Sequence, residues 1–500
     1  MLYQSTRGKK DNISSSEAIV HGLAGDGGLY VPDAFPEISH DSISKLVNEP
    51  YEVRAAYIMD LFLDDIGYDK LIEYTKYAYT TNRDGGFCHN KIAPLHKLDK
   101  NTHFLELWHG PTCAFKDMAL QIMPKLLTAS LKKIGEDRDV CILVATSGDT
   151  GKAALEGFRD IDGTKIMVFY PKDGVSDVQK LQMTSQQGSN VNVVAVNGNF
   201  DDAQTGVKEI FSDKKIKTQL NDYGYFLSSA NSINWGRLVP QVVYYISAYC
   251  DLIKCGEIKQ GEKINFCVPT GNFGNILAAY YTERMGLPVN KLICASNRND
   301  VLAQFINTGQ YNKNRPFFAT ISPSMDILVS SNLERLLFEL SEKNGSIVAT
   351  YMSALAEEGF YKIPDSVRNE LNRIFCSGQC SETDTKKTIG DIFTKYDYLI
   401  DTHTAVAYKA LNDYRETAGD DTKSVVVSTA SPFKFNEAVI DALNQKHRGG
   451  GVDLIEQLAE ISGNAVPAPL VSLKDKTPRF NETVDISGMK NSVVNFLQGE

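Results

Sequence analysis

The sequence predicts an α/β protein with buried parallel strands, preceded by a mainly helical segment. Three observations lead there. Short apolar runs at 140–145, 166–170, 191–196, 264–268, 292–295 and 424–428 have the length and composition of strands buried on both faces of a parallel sheet. Helical patterns fall between them, at 152–158, 237–250 and 276–285, and alternation of strand and helix builds parallel sheets. The chain has 500 residues, more than a single core supports, so more than one domain is expected.

Taken in order, residues 42–47, 51–63 and 68–79 place apolar side chains at helical spacing, so 1–92 is expected to form a helical N-terminal domain. A helical run follows at 118–131. Residues 93–465 carry all the strand-like runs and form the main region, made of two α/β subdomains. Between about 330 and 400 the strand signal fades, and a polar helical insertion is expected there, with the Gly/Ser/Thr-rich stretch 377–388 as an exposed loop. Residues 466–500 are a C-terminal extension.

Composition narrows the function classes. With 42% hydrophobic and 23% charged residues the chain can bury a core, which excludes a mainly disordered protein. A net charge of −10, from 62 acidic and 52 basic residues, repels polyphosphate and argues against nucleic acid as a partner. Small anions are a different matter, because local loops bind them. The nine cysteines are scattered through apolar contexts such as Cys141, Cys267 and Cys294, as buried thiols in a reducing compartment are. Cys376 and Cys380 have no second pair or histidines at ligand spacing, so no metal site is expected. The N-terminal residues lack the apolar run of a secretory signal, and no stretch approaches the roughly 18 apolar residues of a membrane span. The expectation is a cytoplasmic protein with no membrane partner.

The chemistry concentrates where strands end. The run 140–145 leads into Thr146-Ser147-Gly148-Asp149-Thr150-Gly151, the run 264–268 into Pro269-Thr270-Gly271-Asn272-Phe273-Gly274-Asn275, and the run 424–428 into Thr429-Ala430-Ser431-Pro432. Ligands of open α/β sheets bind outside the carboxyl ends of the strands, so the three loops are expected to face one crevice. Residues 146–153 fail as a P-loop, since Thr146 replaces the first glycine and Ala153 the magnesium-binding hydroxyl. Gly271 to Asn275 suits a compact phosphate held by backbone N–H groups at a helix N-terminus. Upstream, His109-Gly110-Pro111-Thr112-Cys113-Ala114-Phe115-Lys116-Asp117 sets a lysine among small and apolar neighbours at the head of a helix. A lysine is unfavourable there for the helix dipole, and the apolar neighbours Cys113, Ala114 and Phe115, with the Gly-Pro turn just before them, suggest that Lys116 points into a pocket. A lysine beside a phosphate cradle and hydroxyl-lined loops suggests a pyridoxal phosphate Schiff base.

These segments resemble the threonine synthase family. His109 to Asp117 is similar to its cofactor-lysine motif, and Thr146–Gly151 and Gly271–Asn275 to two further motifs. Tyr3–Gly8, Gly22–Ala24 and Asp26–Pro32 resemble its N-terminal signature, and Asn231–Arg237 and Thr429–Phe435 add two more, so the matches run in family order from residue 3 to 435. The resemblance implies a fold type II pyridoxal 5'-phosphate enzyme that converts O-phospho-L-homoserine and water to L-threonine and phosphate, as a monomer or homodimer. It implies Lys116 as the catalytic and cofactor-bearing lysine, with Gly271, Asn272, Phe273, Gly274 and Asn275 around the cofactor phosphate and Thr429 facing the pyridine nitrogen. Ser147, Asp149, Thr150, Asn234 and Arg237 are the implied substrate-binding residues. For the leaving phosphate the basic residues in motif blocks are Arg237, Lys152, Arg7 and Lys434. Many members carry Asp at the position of Asn275, His at Ser431 and Ala at Phe433. His96, His103 and His403 stand isolated and are expected to be packing residues. Three other functions remain open at this level: a lyase on the same scaffold releasing 2-oxobutyrate and ammonia, a protein that binds the cofactor without turnover, and, against the P-loop mismatches, a nucleotide triphosphatase.

Overall fold

The computed structural model describes every residue except Lys10, Asp11, Ser147, Gly174 and Glu500, and the side chain of Asp201. Its main strands are β1 (Leu95–Lys97), β2 (Thr102–Glu106), β3 (Asp139–Ala145), β4 (Thr164–Pro171), β5 (Val191–Val196), β6 (Tyr225–Ser228), β7 (Ile264–Pro269), β8 (Val289–Ser296), β9 (Phe375–Gln379), β10 (Ser424–Ser428) and β11 (Thr483–Val484). Six join in the order β9–β8–β7–β10–β2–β1, parallel except where β1 runs against β2. Five join in the order β11–β5–β4–β3–β6, all parallel. Every residue of β7 and β10 is buried, which is why these strands read as largely apolar runs.

The predicted strands all form, and the misses have local causes. The run 118–131 is two helices, Asp117–Leu120 and Met123–Ile134, because Pro124 starts the second at a position where its missing N–H costs nothing. The stretch 377–388 is not a loop: its first residues end β9, which pairs with β8, and the rest lie in the helix Glu382–Tyr396, capped by Ser381. Its small residues serve packing, since a Cβ on Gly378 would sit 2.7 Å from the Cβ of Ala410 on the covering helix Thr402–Ala418. The region 330–400 therefore supplies an edge strand of the six-stranded sheet, in addition to helices. Residues 479–484 clasp the five-stranded sheet: β11 pairs with β5, and the N–H groups of Arg479 and Phe480 cap the last carbonyl of the helix Asp177–Thr184.

In the N-terminal part the helix Ser15–His21 lies between the two strands of a ribbon, Tyr3–Ser5 against Tyr30–Pro32, and the helices His40–Leu46, Tyr51–Asp60 and Tyr68–Ala78 follow it. The first three of these helices pack on the long helix Trp235–Lys254 and the fourth on Tyr51–Asp60, with Trp235 in edge contact with Tyr3 and Phe62. Arg54, 3% exposed, donates to the carbonyls of Leu46 and Val47, to Ser247 and to Asp251 at 2.7 Å. No helix among the described residues is long and apolar enough to cross a membrane. Arg54→Met would strand Asp251 and two carbonyls, and breaking one side of a buried pair costs about 3 kcal/mol, so the melting temperature should fall by several degrees in calorimetry. A fall no larger than that of the exposed control Arg448→Met would contradict this role for Arg54.

Candidate active site

The loop after β2 is strapped to the loop after β10. Phe115 N–H donates to Thr429 O at 2.8 Å, Ser431 N–H to Cys113 O at 3.1 Å, and Asp117 accepts the N–H and hydroxyl of Thr112 at 2.8 Å each. The strap delivers Lys116 to the carboxyl ends of β2, β10 and β7. Its Nζ lies 3.4 Å from Asp149 Oδ2 and 3.3 Å from Ser324 Oγ. Burial pushes its amine below the ordinary lysine range; Asp149 opposes this, while Lys434 and Arg237 reinforce it.

Asp149 opens the helix Asp149–Phe158 that follows β3. Its carboxylate receives Lys434 Nζ at 2.6 Å and Gln179 Nε2 at 2.7 Å, besides facing Lys116. Burial alone would raise this carboxyl, but Lys434 and Lys116 outweigh it and hold Asp149 far below the usual carboxylate range. Lys434 has no exposed side-chain surface and also donates to Thr112 O at 3.0 Å.

After β7 the chain turns through 270–275 into the helix Gly274–Arg284. Asn272 O accepts from Asn332, and Gly271 O from the Ser330 hydroxyl at 2.8 Å. Among the described residues, no acceptor meets the N–H groups of Gly271, Asn272, Phe273, Gly274 or Asn275. Five consecutive free donors at a helix N-terminus form a cradle for a dianion. The backbone is strained to achieve this, with the non-glycine Phe273 at φ +65°. A Cβ on Gly271 would lie 2.5 Å from Ser324 O, so only glycine lets that turn close against the cradle. Asn275 is 7% exposed; its Oδ1 accepts from the hydroxyls of Tyr244 and Tyr245 at 2.6 Å each, while Nδ2 has no partner. Burial raises both tyrosines, keeping them protonated as donors. The donor set therefore fits pyridoxal phosphate: a depressed lysine, a row of free N–H groups, and Thr429, 6% exposed, whose hydroxyl has no hydrogen-bond partner among the described residues.

The substrate residues divide. Ser147 lies outside the described residues. Thr150 is half-buried beside Asp149 at the same helix N-terminus. Arg237, 3% exposed, donates to Ala230 O at 2.5 Å, leaves Nε without a partner and forms no ion pair among the described residues. Burial draws its guanidinium down to about 10. A buried guanidinium with an unpartnered N–H has its charge and a donor uncompensated by the protein. Asn234, named with the substrate residues, is engaged in structural contacts: its side chain caps Gly236 N–H and donates to Ile19 O and Ser229 O, and so ties the N-terminal helices down. The carboxylate of Asp149 likewise holds amines, so its own oxygens are taken by Lys434, Gln179 and Lys116.

Of the four cations named for phosphate, Lys434 is taken by Asp149, Lys152 by Glu156 at 2.9 Å, and Arg7 by Glu334 in a two-bond fork of 2.9 Å each, leaving Arg237. His96 does stack on Tyr398, but His403 is not isolated: it bonds Asp401 and the Ser324 N–H. Gln179, Ser324 and His403 are the residues that sequence reasoning missed. The one signal was the hydroxyl-rich Ser322-Pro323-Ser324, far from any strand-end loop.

Profiles of known families match three successive segments of the chain. One described as threonine synthase N terminus covers residues 2–79, one described as pyridoxal-phosphate dependent enzyme covers 90–361, and one described as threonine synthase, C-terminal, covers 404–493. The threonine synthase of Pseudomonas aeruginosa is 41% identical over 443 residues, 88% of this chain and 90% of its own. The chain belongs to the threonine synthase family of pyridoxal-phosphate-dependent enzymes. Saccharomyces cerevisiae threonine synthase is 36% identical, with 98% of this chain and 97% of that one aligned. Human threonine synthase-like 1 is 42% identical over 86% of this chain, which spans only 58% of that longer protein. Among solved structures, the pyridoxal phosphate-bound threonine synthase of Brucella melitensis superposes with a TM-score of 0.87 at 36% identity, covering 100% of this chain and 99% of that one. The yeast threonine synthase structure gives 0.87 at 32%, with the same coverage.

Asp117, next to the family's lysine, provides a pH test. Burial raises its carboxyl to about 6, against the donors of Thr112. Between about pH 4 and 6 the folded state keeps a proton that the unfolded chain releases, so this group's stabilisation is present at low pH and lost as pH rises through 6, by at most about 3 kcal/mol. Asp117→Asn keeps a neutral side chain that can hydrogen-bond Thr112 at every pH. Its melting temperature relative to wild type should therefore be higher at about pH 7.5 than at about pH 4.5; an offset independent of pH would contradict the assignment.

Proposed function

We propose that this chain converts O-phospho-L-homoserine and water to L-threonine and inorganic phosphate, with pyridoxal phosphate bound through Lys116. The observation that carries the reading is one of placement: five free N–H groups at 271–275 lie across a single turn, that of Ser324, from a buried lysine whose amine is depressed. Threonine synthases of bacteria and yeast that align over nearly their whole length support it. When bound, the cofactor supplies an electron sink for the pair left as the Cα proton departs.

The chain's own residues do the rest. The N–H groups of Gly271, Asn272, Phe273, Gly274 and Asn275, with Asn275 Nδ2, hold the cofactor phosphate. The Thr429 hydroxyl meets the pyridine nitrogen, a neutral contact that moderates the ring where a carboxylate would hold it protonated. Freed from the cofactor, Lys116 Nζ is the base for the Cα proton, and its burial, with Lys434 and Arg237 nearby, favours the neutral amine relative to an ordinary lysine. Asp149 holds that amine in the pocket. Arg237 takes the substrate's phosphate, and the backbone N–H groups of Asp149 and Thr150, which meet no acceptor among the described residues, with the Thr150 hydroxyl and Ser147, take its carboxylate. The enzyme works in the cytoplasm, where its cysteines, all free in the structure, stay reduced.

Incubation with O-phospho-L-homoserine, with assays for phosphate, threonine and 2-oxobutyrate, tests the reading. Phosphate and threonine should appear in equal amounts, and Lys116→Ala should lose the visible cofactor band and at least about a thousandfold in kcat. Arg237→Met should raise KM for the phosphorylated substrate and leave the band intact. Release of 2-oxobutyrate without threonine would establish the lyase instead, and an unchanged band in Lys116→Ala would overturn the cofactor site.

A further inference from the structure

Ser324 lies on the short turn Pro323–Met325, and its side chain has two polar neighbours: Lys116 Nζ at 3.3 Å and Asp149 Oδ2 at 3.4 Å. The turn that carries it is held from three sides. Its N–H donates to His403 Nε2 at 3.2 Å, and His403 Nδ1 bonds Asp401 Oδ1 at 2.8 Å. Asp401 and His403 are buried, at 0% and 1% exposure, and Asp401 is further engaged by the His403 N–H at 2.8 Å and by the Thr404 hydroxyl. Because the Ser324 amide must donate, Nε2 accepts, and Nδ1 carries the proton toward Asp401. On the second side the Ser324 carbonyl rests against Gly271, where a Cβ would approach to 2.5 Å. On the third, Asn297 Nδ2 binds the hydroxyl of Ser322 at 2.9 Å and Asp326 at 2.7 Å.

A lysine amine on a four-carbon stem is not oriented by one carboxylate alone, since rotation about its last bond leaves the hydrogens free. A second acceptor fixed in space removes that freedom and leaves one direction of Nζ for the ligand. Ser324 has the chemistry and the rigid mounting for this. Given Lys116 as the cofactor-bearing lysine, as proposed above, we propose that Ser324 is a positioning residue that orients the Lys116 amine, and that the Asp401–His403 pair fixes the turn on which it depends. The pair would then act on Lys116 from 287 residues away in sequence without touching it. A merely structural histidine at the head of the helix Thr402–Ala418 would matter for folding but would leave the amine's reactivity unchanged.

The test uses purified holoenzymes of wild type, Ser324→Ala, His403→Ala and His403→Gln, the last because a glutamine oxygen can accept from the Ser324 amide as Nε2 does. Borohydride reduction of wild type followed by peptide mapping first places the cofactor; attachment anywhere but Lys116 overturns the functional reading and this proposal with it. With attachment at Lys116, Ser324→Ala should keep full cofactor content and melting temperature while kcat for phosphate release falls about ten- to a hundredfold and KM moves by less than about threefold. Recombination of pyridoxal phosphate with the stripped Ser324→Ala protein should slow by a similar factor, about tenfold or more, a readout that does not involve turnover. His403→Ala should follow Ser324→Ala in both, and His403→Gln should recover most of the loss. Wild-type kcat and recombination in Ser324→Ala, a loss accounted for by missing cofactor, or His403→Gln no better than His403→Ala would each overturn the proposal.

Discussion

The buried carboxylate of Asp149 is the interaction on which the site depends. It sits between two lysines, Lys434 at 2.6 Å and Lys116 at 3.4 Å, with Gln179 as a third donor. Unpaired, a buried carboxylate of this kind would be protonated or would destabilise the fold by several kcal/mol. The closer lysine, Lys434, carries most of the compensation, so Asp149 remains an anion when Lys116 gives up its proton or its charge. That division frees Lys116 for chemistry. It also settles a tension within the composition, since a chain of net charge −10 has to receive a dianionic cofactor and a phosphorylated substrate. Lys116 and Lys434 share the single carboxylate of Asp149, Arg237 stands near Lys116 without an ion pair among the described residues, and the cradle at 271–275 adds backbone dipoles at no cost in net charge.

The N-terminal helices support this arrangement through buried polar contacts. Asn234 bonds the backbone of Ile19, Arg54 reaches Ser247 and Asp251 on the long helix that also carries Arg237, and Thr6 and Arg7 share Glu334, one turn beyond the segment that holds the cradle's carbonyls. Residues conspicuous in motif blocks thus serve either chemistry or docking, and only the contacts separate the two. Asn234 and Arg237 stand three apart on one motif; one has every polar atom in use, the other has Nε with none.

What was legible in the sequence follows from locality. The strands β3, β7 and β10 carry apolar runs because their centres are covered on both faces, and the loops after them are rich in glycine and hydroxyls because backbone must approach a ligand there. Such features depend on neighbours in sequence. Edge strands such as β9, with Ser377 and Gly378 pressed under a helix, look like loops because the packing that demands small residues comes from 32 residues away, at Ala410. Ser324 and His403 were illegible for the same reason: their meaning lies in contacts across 208 and 79 residues, with Lys116 and with each other. The resemblance to a family carried the lysine and the cradle, and only the three-dimensional contacts show which of the basic residues lack a partner.

The measurement that tests this account most directly is the titration of the Lys116 amine in the cofactor-stripped protein, read as the pH dependence of its acylation by mass spectrometry of the Lys116 peptide. Burial among two further cations, with only Asp149 in opposition, predicts a midpoint clearly below the roughly 10.4 of an ordinary lysine. A midpoint at or above that value would mean that Asp149 pairs with Lys116 as a conventional buried salt bridge, and would contradict the division of labour between the two lysines.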